Sequence, residues 1–261
     1  MTKGPVSSLI LSVSTCPCIV TRPPPSINSS VTTALVNPAN EQLVMTALPY
    51  FPMAGPPPKD LTNTNWGGAG VGSEMFYPIQ TIDGLLNLHG GSELREACYK
   101  LPVFEDVELL GGGGNPSGGY GSVRCPVGSA VLTEAYGEKV QQNYDYVIHT
   151  VPPLWPGVGG SKLTENQATK LLQSCYLESI KTCLEHNISS VTMPLLGAGA
   201  RRTPVYIAMN CLSVGIMSGL NYAQQNLTDR SPKCTPDFHV QIAVMEPWIA
   251  KTLVDLFEEI F

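Results

Sequence analysis

The stretch Val31 to Asn40, VTTALVNPAN, constrains the fold more than any other, because an apolar run stops abruptly at two amide side chains. Ala34, Leu35 and Val36 are short or branched and uncharged, the composition of a strand buried on both faces. Strands of that kind belong to parallel sheets covered by helices. Asn37 and Asn40 follow at its end, where open α/β sheets bind their ligands. Taken alone, the same residues also describe a strand closed by an Asx turn.

The rest of the chain alternates strand and helix patterns. Leu9 to Thr15 alternates Leu9, Leu11 and Val13 with Ile10, Ser12 and Ser14, as a strand with one covered face would. Pro17, Pro23, Pro24 and Pro25 then predict an extended loop. Thr164-Glu165-Asn166-Gln167 has the form of a capping box, and Ala168, Leu171, Leu172, Cys175, Ile180, Cys183 and Leu184 recur at helical spacing up to a stop at Asn187. Ser190 to Leu196 reads as a buried strand, Pro204 to Leu220 as a helix, Phe238 to Met245 as a last strand, and Pro247 opens a closing amphipathic helix. The alternation predicts an α/β fold, a three-layer α/β/α domain around a mixed, mostly parallel central sheet. No internal repeat or long linker divides the chain, so residues 1–261 are read as one domain with loops enlarged at about 17–30, 48–81, 104–121, 152–162 and 224–237.

Charge and cysteine usage narrow the function. A net charge of -6 and no run of more than two adjacent basic residues give no attraction for nucleic acid as a bulk polyanion. No apolar stretch approaches the roughly 18 to 20 residues that span a bilayer. The segment from Ser7 to Val20 is interrupted by Cys16, Pro17 and Cys18 and is not read as a signal peptide. The chain is therefore read as a soluble monomer of the cytoplasm or nucleus. Its eight cysteines form no regular framework and mostly fall in apolar-periodic segments, where reduced thiols pack. No metal and no cofactor is expected, since Cys16 and Cys18 are too close for a zinc hook and lack a matching pair. His149, at the end of a predicted strand, reads as a core histidine close enough to a sheet end to approach a ligand.

Two small-residue loops are candidates for holding phosphate. In Trp66-Gly67-Gly68-Ala69-Gly70-Val71-Gly72 the backbone amides are uncovered, which suits a diphosphate cradle and equally an ordinary loop. Neither Gly-Lys-Ser/Thr nor Gly-x-Gly-x-x-Gly completes a nucleotide fingerprint there. The second, Gly197-Ala198-Gly199-Ala200-Arg201-Arg202-Thr203-Pro204, follows the strand that ends at Leu196. Its arginines are either solvated charges on a turn or groups that stack on a base or clamp a phosphate. The glycines from Gly111 to Gly121 lack a strand-helix context and read as a surface insertion.

Several segments in order resemble the macro domain family, the ADP-ribose-binding fold. Asn37-Pro38-Ala39-Asn40 is similar to its Asn-x-Ala-Asn turn, and Ile82-Asp83-Gly84 with Glu96-Ala97-Cys98 to its helix that opens on Val-Asp-Gly and closes on Glu-Cys. Cys125-Pro126-Val127-Gly128 resembles Cys-Pro-Thr-Gly, and Tyr146-Val147-Ile148-His149-Thr150-Val151-Pro152-Pro153-Leu154-Trp155 resembles Tyr-Val-Ile-His-Thr-Val-Gly-Pro-x-Trp. The resemblance implies that Asn37, Asn40, Gly67, Gly68, Ala69, Gly70, Gly197, Ala198, Gly199, Ala200 and Arg201 bind ligand, with Asn40 and Asp83 as the catalytic pair. Three departures stand out. Cys16 to Ser30 holds no acid where the family carries one for the adenine amine, Glu74 to Thr81 is inserted between the first glycine loop and Asp83, and Arg201 takes the place of the aromatic that covers the ribose.

The implied partner is ADP-ribose or an ADP-ribosylated protein, and the implied activity is hydrolysis of an ADP-ribosyl bond in mono-ADP-ribosylated protein or O-acetyl-ADP-ribose. Two alternatives stay open: a non-catalytic ADP-ribose reader, and a degenerate macro domain used as an interaction scaffold.

Overall fold

The computed structural model describes residues 9–24, 31–45, 50–51, 79–105, 107, 110, 122–158, 160–227 and 237–260. In chain order the elements are β1 (Leu9–Thr15), β2 (Thr33–Pro38), β3 (Tyr50–Phe51), β4 (Ile79–Gln80), α1 (Ile82–Lys100), β5 (Ala130–Glu134), α2 (Glu138–Gln141), β6 (Tyr146–Thr150), α3 (Glu165–Glu185), β7 (Ser190–Met193), α4 (Val205–Leu227), β8 (Phe238–Val244) and α5 (Pro247–Ile260).

Six strands form one sheet in the order β1-β8-β7-β2-β6-β5, parallel throughout except that β5 runs antiparallel to β6. β2 is one of the two central strands, as its uniformly apolar run demands. Ala34 and Val36 enter one core with Leu172, Ile180, Met209, Leu212, Leu253 and Phe257 of α3, α4 and α5. Leu35 turns to the opposite face and packs with Leu85, Leu86 and Leu94 of α1 and Val140 of α2. The sheet is thus covered on both faces, and the mixed three-layer α/β/α architecture expected from the sequence is the one observed. Each fully buried aliphatic side chain contributes about 1.5–3 kcal/mol relative to exposure.

The local signals behave as the chemistry dictates. Thr164 Oγ1 accepts from Gln167 N at 3.3 Å while Gln167 Oε1 accepts from Thr164 N at 2.8 Å, closing the capping box at the start of α3. Along α4, Gly215 and Gly219 let α3 approach closely. A Cβ on Gly215 would lie 2.6 Å from Gln173 O, and one on Gly219 would lie 2.4 Å from Ile180 Cδ1. The seven cysteines within the described residues are free and buried, as packed thiols; Cys234 lies outside them.

Four local expectations are corrected. Helix α4 continues past Leu220 to Leu227 and takes in residues 224–227 of a stretch expected to be loop. Ala223 is fully buried and Tyr222 packs on the core, so tertiary contact extends the helix. The helix opened by Asp83 is two segments joined at Gly91, whose φ of 63° and ψ of -151° are not helical. The segment after β1 is compact rather than extended, because Arg22 N donates to Cys18 O at 2.9 Å and Cys18, Ile19 and Val20 are buried beneath the turn. Finally, Tyr50–Phe51 and Ile79–Gln80, both expected within irregular loops, pair antiparallel as β3 and β4 just before α1.

Candidate functional site

The parallel strands β2, β6 and β7 end on the same edge of the sheet, and Asn37, Asn40 and the turn from Gly197 to Arg201 follow from those ends. Asn37 sits at the end of β2, opposite His149 of β6, and is completely buried. Asp83 lies in the first turn of α1, where the helix N-terminus favours a negative charge, and is only 7% exposed. Thr81, the N-cap residue, gives no side-chain capping bond to that turn.

One amide nitrogen joins these elements. Asn37 Nδ2 donates to Asp83 Oδ1 at 2.9 Å and lies 3.1 Å from His149 Nδ1. Since Nδ2 is a donor only, His149 Nδ1 must accept, which places the ring proton on Nε2. His149 Nε2 in turn lies 3.0 Å from Thr133 Oγ1 and 3.7 Å from Cys98 Sγ. The result is a buried polar chain from Thr133 on β5 through His149 and Asn37 to Asp83 on α1. Burial lowers the His149 pKa to about 4, so the ring is neutral at neutral pH. The Cys98 thiol is pushed up to about 12 by burial and by the nearby Asp83 charge, and is a packed group rather than a thiolate. Asn37 Oδ1 is buried without a hydrogen-bond partner.

Asn40 follows on the turn. Its side chain brackets the backbone of Val44: Nδ2 donates to Val44 O, and Oδ1 accepts from Val44 N at 3.1 Å. Leu43 within this turn has a φ of 56°. The structure therefore brings Asn37, not Asn40, into contact with Asp83. Between them, Ala39 N donates to Thr150 O at 2.8 Å and pins the turn to the end of β6.

The turn after β7 is built from the other predicted residues. Gly197 has a φ of 81° and its carbonyl accepts from Thr203 N at 3.0 Å, while Gly199 O accepts from Arg202 N at 2.9 Å. The N–H groups of Ala198, Gly199 and Ala200 have no hydrogen-bond partner among the described residues. A Cβ added to Gly199 would meet nothing within 4 Å, so this part of the turn borders open space. A small-residue turn with unpaired amides is an anion-binding shape.

Arg201 does not reach outward as a cover. Its Nη2 donates to Ala39 O at 3.0 Å and its carbonyl accepts from Trp155 N at 2.9 Å, tying the β7 turn to the Asn37–Asn40 turn. Burial lowers the Arg201 pKa, opposed by the charges of Glu41 and Asp83. Gly67, Gly68, Ala69 and Gly70 lie outside the described residues, as does most of the inserted segment from Glu74.

Two contributors were not singled out by sequence. Glu41 is buried at 4% exposure; its Oε1 accepts from Leu110 N at 2.9 Å and its carbonyl from Arg124 N and Cys125 N. Thr133 anchors the His149 ring. A usable signal existed for Glu41, an acid one residue beyond the Asn40 turn; Thr133 has none, because only the β5–β6 pairing brings it to His149. Among the described residues no group of three or more His, Cys, Asp or Glu side chains is placed to hold a metal, and no helix is long and apolar enough to cross a membrane.

The sequence pattern of the family described as Macro domain matches residues 36–212. A macro domain-containing protein of Caldanaerobacter subterraneus subsp. tengcongensis is 33% identical over 134 residues, covering 48% of this chain and 66% of the relative. An O-acetyl-ADP-ribose deacetylase of Citrobacter rodentium is 28% identical over 136 residues, covering 51% of this chain and 62% of the relative. The matches thus span less than two thirds of these relatives' length. Among solved structures, a mutant Oceanobacillus iheyensis macrodomain with ADPR aligns with a TM-score of 0.51 at 18% identity, covering 88% of this chain and 86% of that one. A Trypanosoma brucei macrodomain in complex with ADP-ribose aligns at 0.52 and 16% identity, covering 95% and 68%. At these identities the structural likeness is one of fold.

Proposed function

The chain belongs to the macro domain family, and from that premise we propose that it binds ADP-ribose or an ADP-ribosyl group at the shared edge of β2, β6 and β7 and hydrolyses an ADP-ribosyl bond. The substrate class is mono-ADP-ribosylated protein or O-acetyl-ADP-ribose, and the whole chain acts as one monomeric domain. One observation carries the reading: a buried carboxylate, Asp83, is held at 2.9 Å by Asn37, and the turn after β7, tied by Arg201 to Ala39 of the Asn37–Asn40 turn, leaves the Ala198, Gly199 and Ala200 amides without a partner among the described residues. The amides receive the diphosphate, and the carboxylate orients or activates a water against the anomeric carbon or the ester.

Asn40 holds the hydroxyls of the distal ribose in this scheme. Its amide can do so while bonded to Val44, because the group has two N–H donors and two lone pairs and the turn uses one of each. The first-loop residues Gly67, Gly68, Ala69 and Gly70, which lie outside the described residues, are proposed as further diphosphate ligands on the family resemblance alone.

The low exposure of Asp83, 7%, favours a second reading. A carboxylate so enclosed leaves little room for an attacking water, as in a reader that binds ADP-ribose without turning it over. One pair of measurements separates the two: calorimetric binding of ADP-ribose, and its release from mono-ADP-ribosylated protein or from O-acetyl-ADP-ribose. For an enzyme, Asp83→Ala lowers the rate by roughly 10²- to 10⁴-fold with binding largely kept, and Asn40→Ala impairs both. Binding without release of product leaves only the reader.

A further inference from the structure

We propose that Arg202 is the cation of this site, a side chain that turns to a phosphoryl oxygen of the bound diphosphate. The inference rests on the ADP-ribose reading above and deepens it.

Arg202 is held in a conformation that suits glycine. Its φ of 63° lies in the left-handed region that disfavours a residue with a Cβ. Its guanidinium Nε and Nη2 are enclosed without a hydrogen-bond partner. The other orphaned buried side-chain atoms among the described residues, on Asn37, Thr203 and His239, are neutral amide, hydroxyl and imidazole atoms; Arg202 is the one cation with such a deficit. Unpaired donors on a charged group are the most costly kind to leave without an acceptor. Arg201 next to it has an acceptor in Ala39 O, so the deficit belongs to this side chain alone. Strain and an unmet cation at one position of a candidate ligand turn point to a group whose acceptor is supplied from outside the fold.

Position and charge identify that acceptor. The Arg202 N–H is bonded to Gly199 O, so the side chain springs from the turn whose neighbouring amides are open. The residue is only part-buried, which lets the guanidinium swing without unfolding the turn. Arg201 already has an acceptor in Ala39 O, and the charges of Glu41 and Asp83 act on it before any ligand arrives. A diphosphate entering a chain of net charge -6 needs a further cation, and a guanidinium binds phosphoryl oxygens through charge-assisted, bidentate bonds.

The test is titration calorimetry with ADP-ribose at two salt concentrations, together with thermal unfolding, for the wild-type chain and for Arg202→Gly and Arg202→Asn. Both substitutes tolerate the left-handed backbone, and each serves if the other fails to fold. Arg202→Gly is expected to unfold at a higher temperature than wild type, yet to bind ADP-ribose about tenfold more weakly and with less salt dependence. Unchanged affinity and salt dependence in both variants would overturn the assignment, as would a loss of stability in Arg202→Gly. If the wild-type chain itself binds no ADP-ribose, the ADP-ribose reading fails, and this inference with it.

Discussion

Asn37 Nδ2 stands 2.9 Å from Asp83 Oδ1 and 3.1 Å from His149 Nδ1, so a single donor group serves two acceptors on two different elements. Replacing it by Asp sets a second carboxylate against Asp83 and withdraws the donor from His149. Each buried acceptor deprived of its donor costs about 1–3 kcal/mol, and the added like charge increases the cost. Asn37→Leu removes the donor without the charge, and it also removes the unpaired Oδ1, which offsets part of the loss. The expected order of stability in urea unfolding is wild type, then Asn37→Leu, then Asn37→Asp. A variant Asn37→Asp as stable as wild type would mean that the amide does not hold this junction together.

The buried imidazole makes stability depend on pH. His149 titrates near 4 in the fold against about 6.5 when unfolded, because burial penalises the charged ring. Between those values the unfolded chain binds a proton that the folded chain does not. Stability therefore rises with pH across this window, is complete above about 6.5, and is lost as pH falls toward 4, by roughly 3 kcal/mol. His89 and His239 are lowered by burial too and act in the same direction. Urea unfolding between pH 7 and pH 4.5 should show the slope, and His149→Gln should remove the largest part of it. A slope of the same size in that variant would mean that groups other than His149 carry the effect.

Much of this molecule is legible in its sequence because the signals are local. The apolar run Ala34 to Val36 and the Thr164 capping box are specified by neighbours within a few residues and appear as read, and the strand recognised in Tyr146 to Trp155 appears over its first five residues, Tyr146–Thr150. The site is legible only as a set of candidates. Asn37, Asp83, His149 and Thr133 are brought together by the β2–β6 and β5–β6 registers and by the seat of α1, which no short window contains. Sequence likewise leaves the direction of Arg201 open: the same side chain on the same turn can face solvent or reach Ala39 O, and packing decides for the latter.

Gly199 offers a direct probe of the second loop. An added Cβ there meets no atom within 4 Å and the residue does not require a left-handed φ, so Gly199→Glu should fold normally. Its carboxylate would then stand beside the open amides and repel a diphosphate. ADP-ribose affinity is expected to fall at least tenfold, about 1.4 kcal/mol or more, with a melting temperature within a few degrees of wild type. A folded variant with unaltered affinity would remove the diphosphate from this loop.

Adenine recognition provides the last prediction. The turn after β1 carries no acid: Cys16 Sγ donates to Arg22 O at 3.0 Å, and Cys18 Sγ accepts from Thr21 Oγ1 at 3.1 Å. Both thiols are buried and already engaged, so neither offers the carboxylate oxygen that would take a proton from the exocyclic amine of adenine. A base held only by stacking and shape is distinguished weakly from one in which that amine is a carbonyl. ADP-ribose and its inosine analogue are therefore expected to bind with affinities within a few-fold of each other. A buried hydrogen bond to a charged group is worth about 1.5–3 kcal/mol, which corresponds to a preference of roughly 10- to 150-fold. Calorimetry that finds adenine favoured by that margin would require an acid from another part of the chain, and mutation of Glu41 to Gln would be the first substitution to locate it, since its carboxylate is buried at the same edge of the sheet.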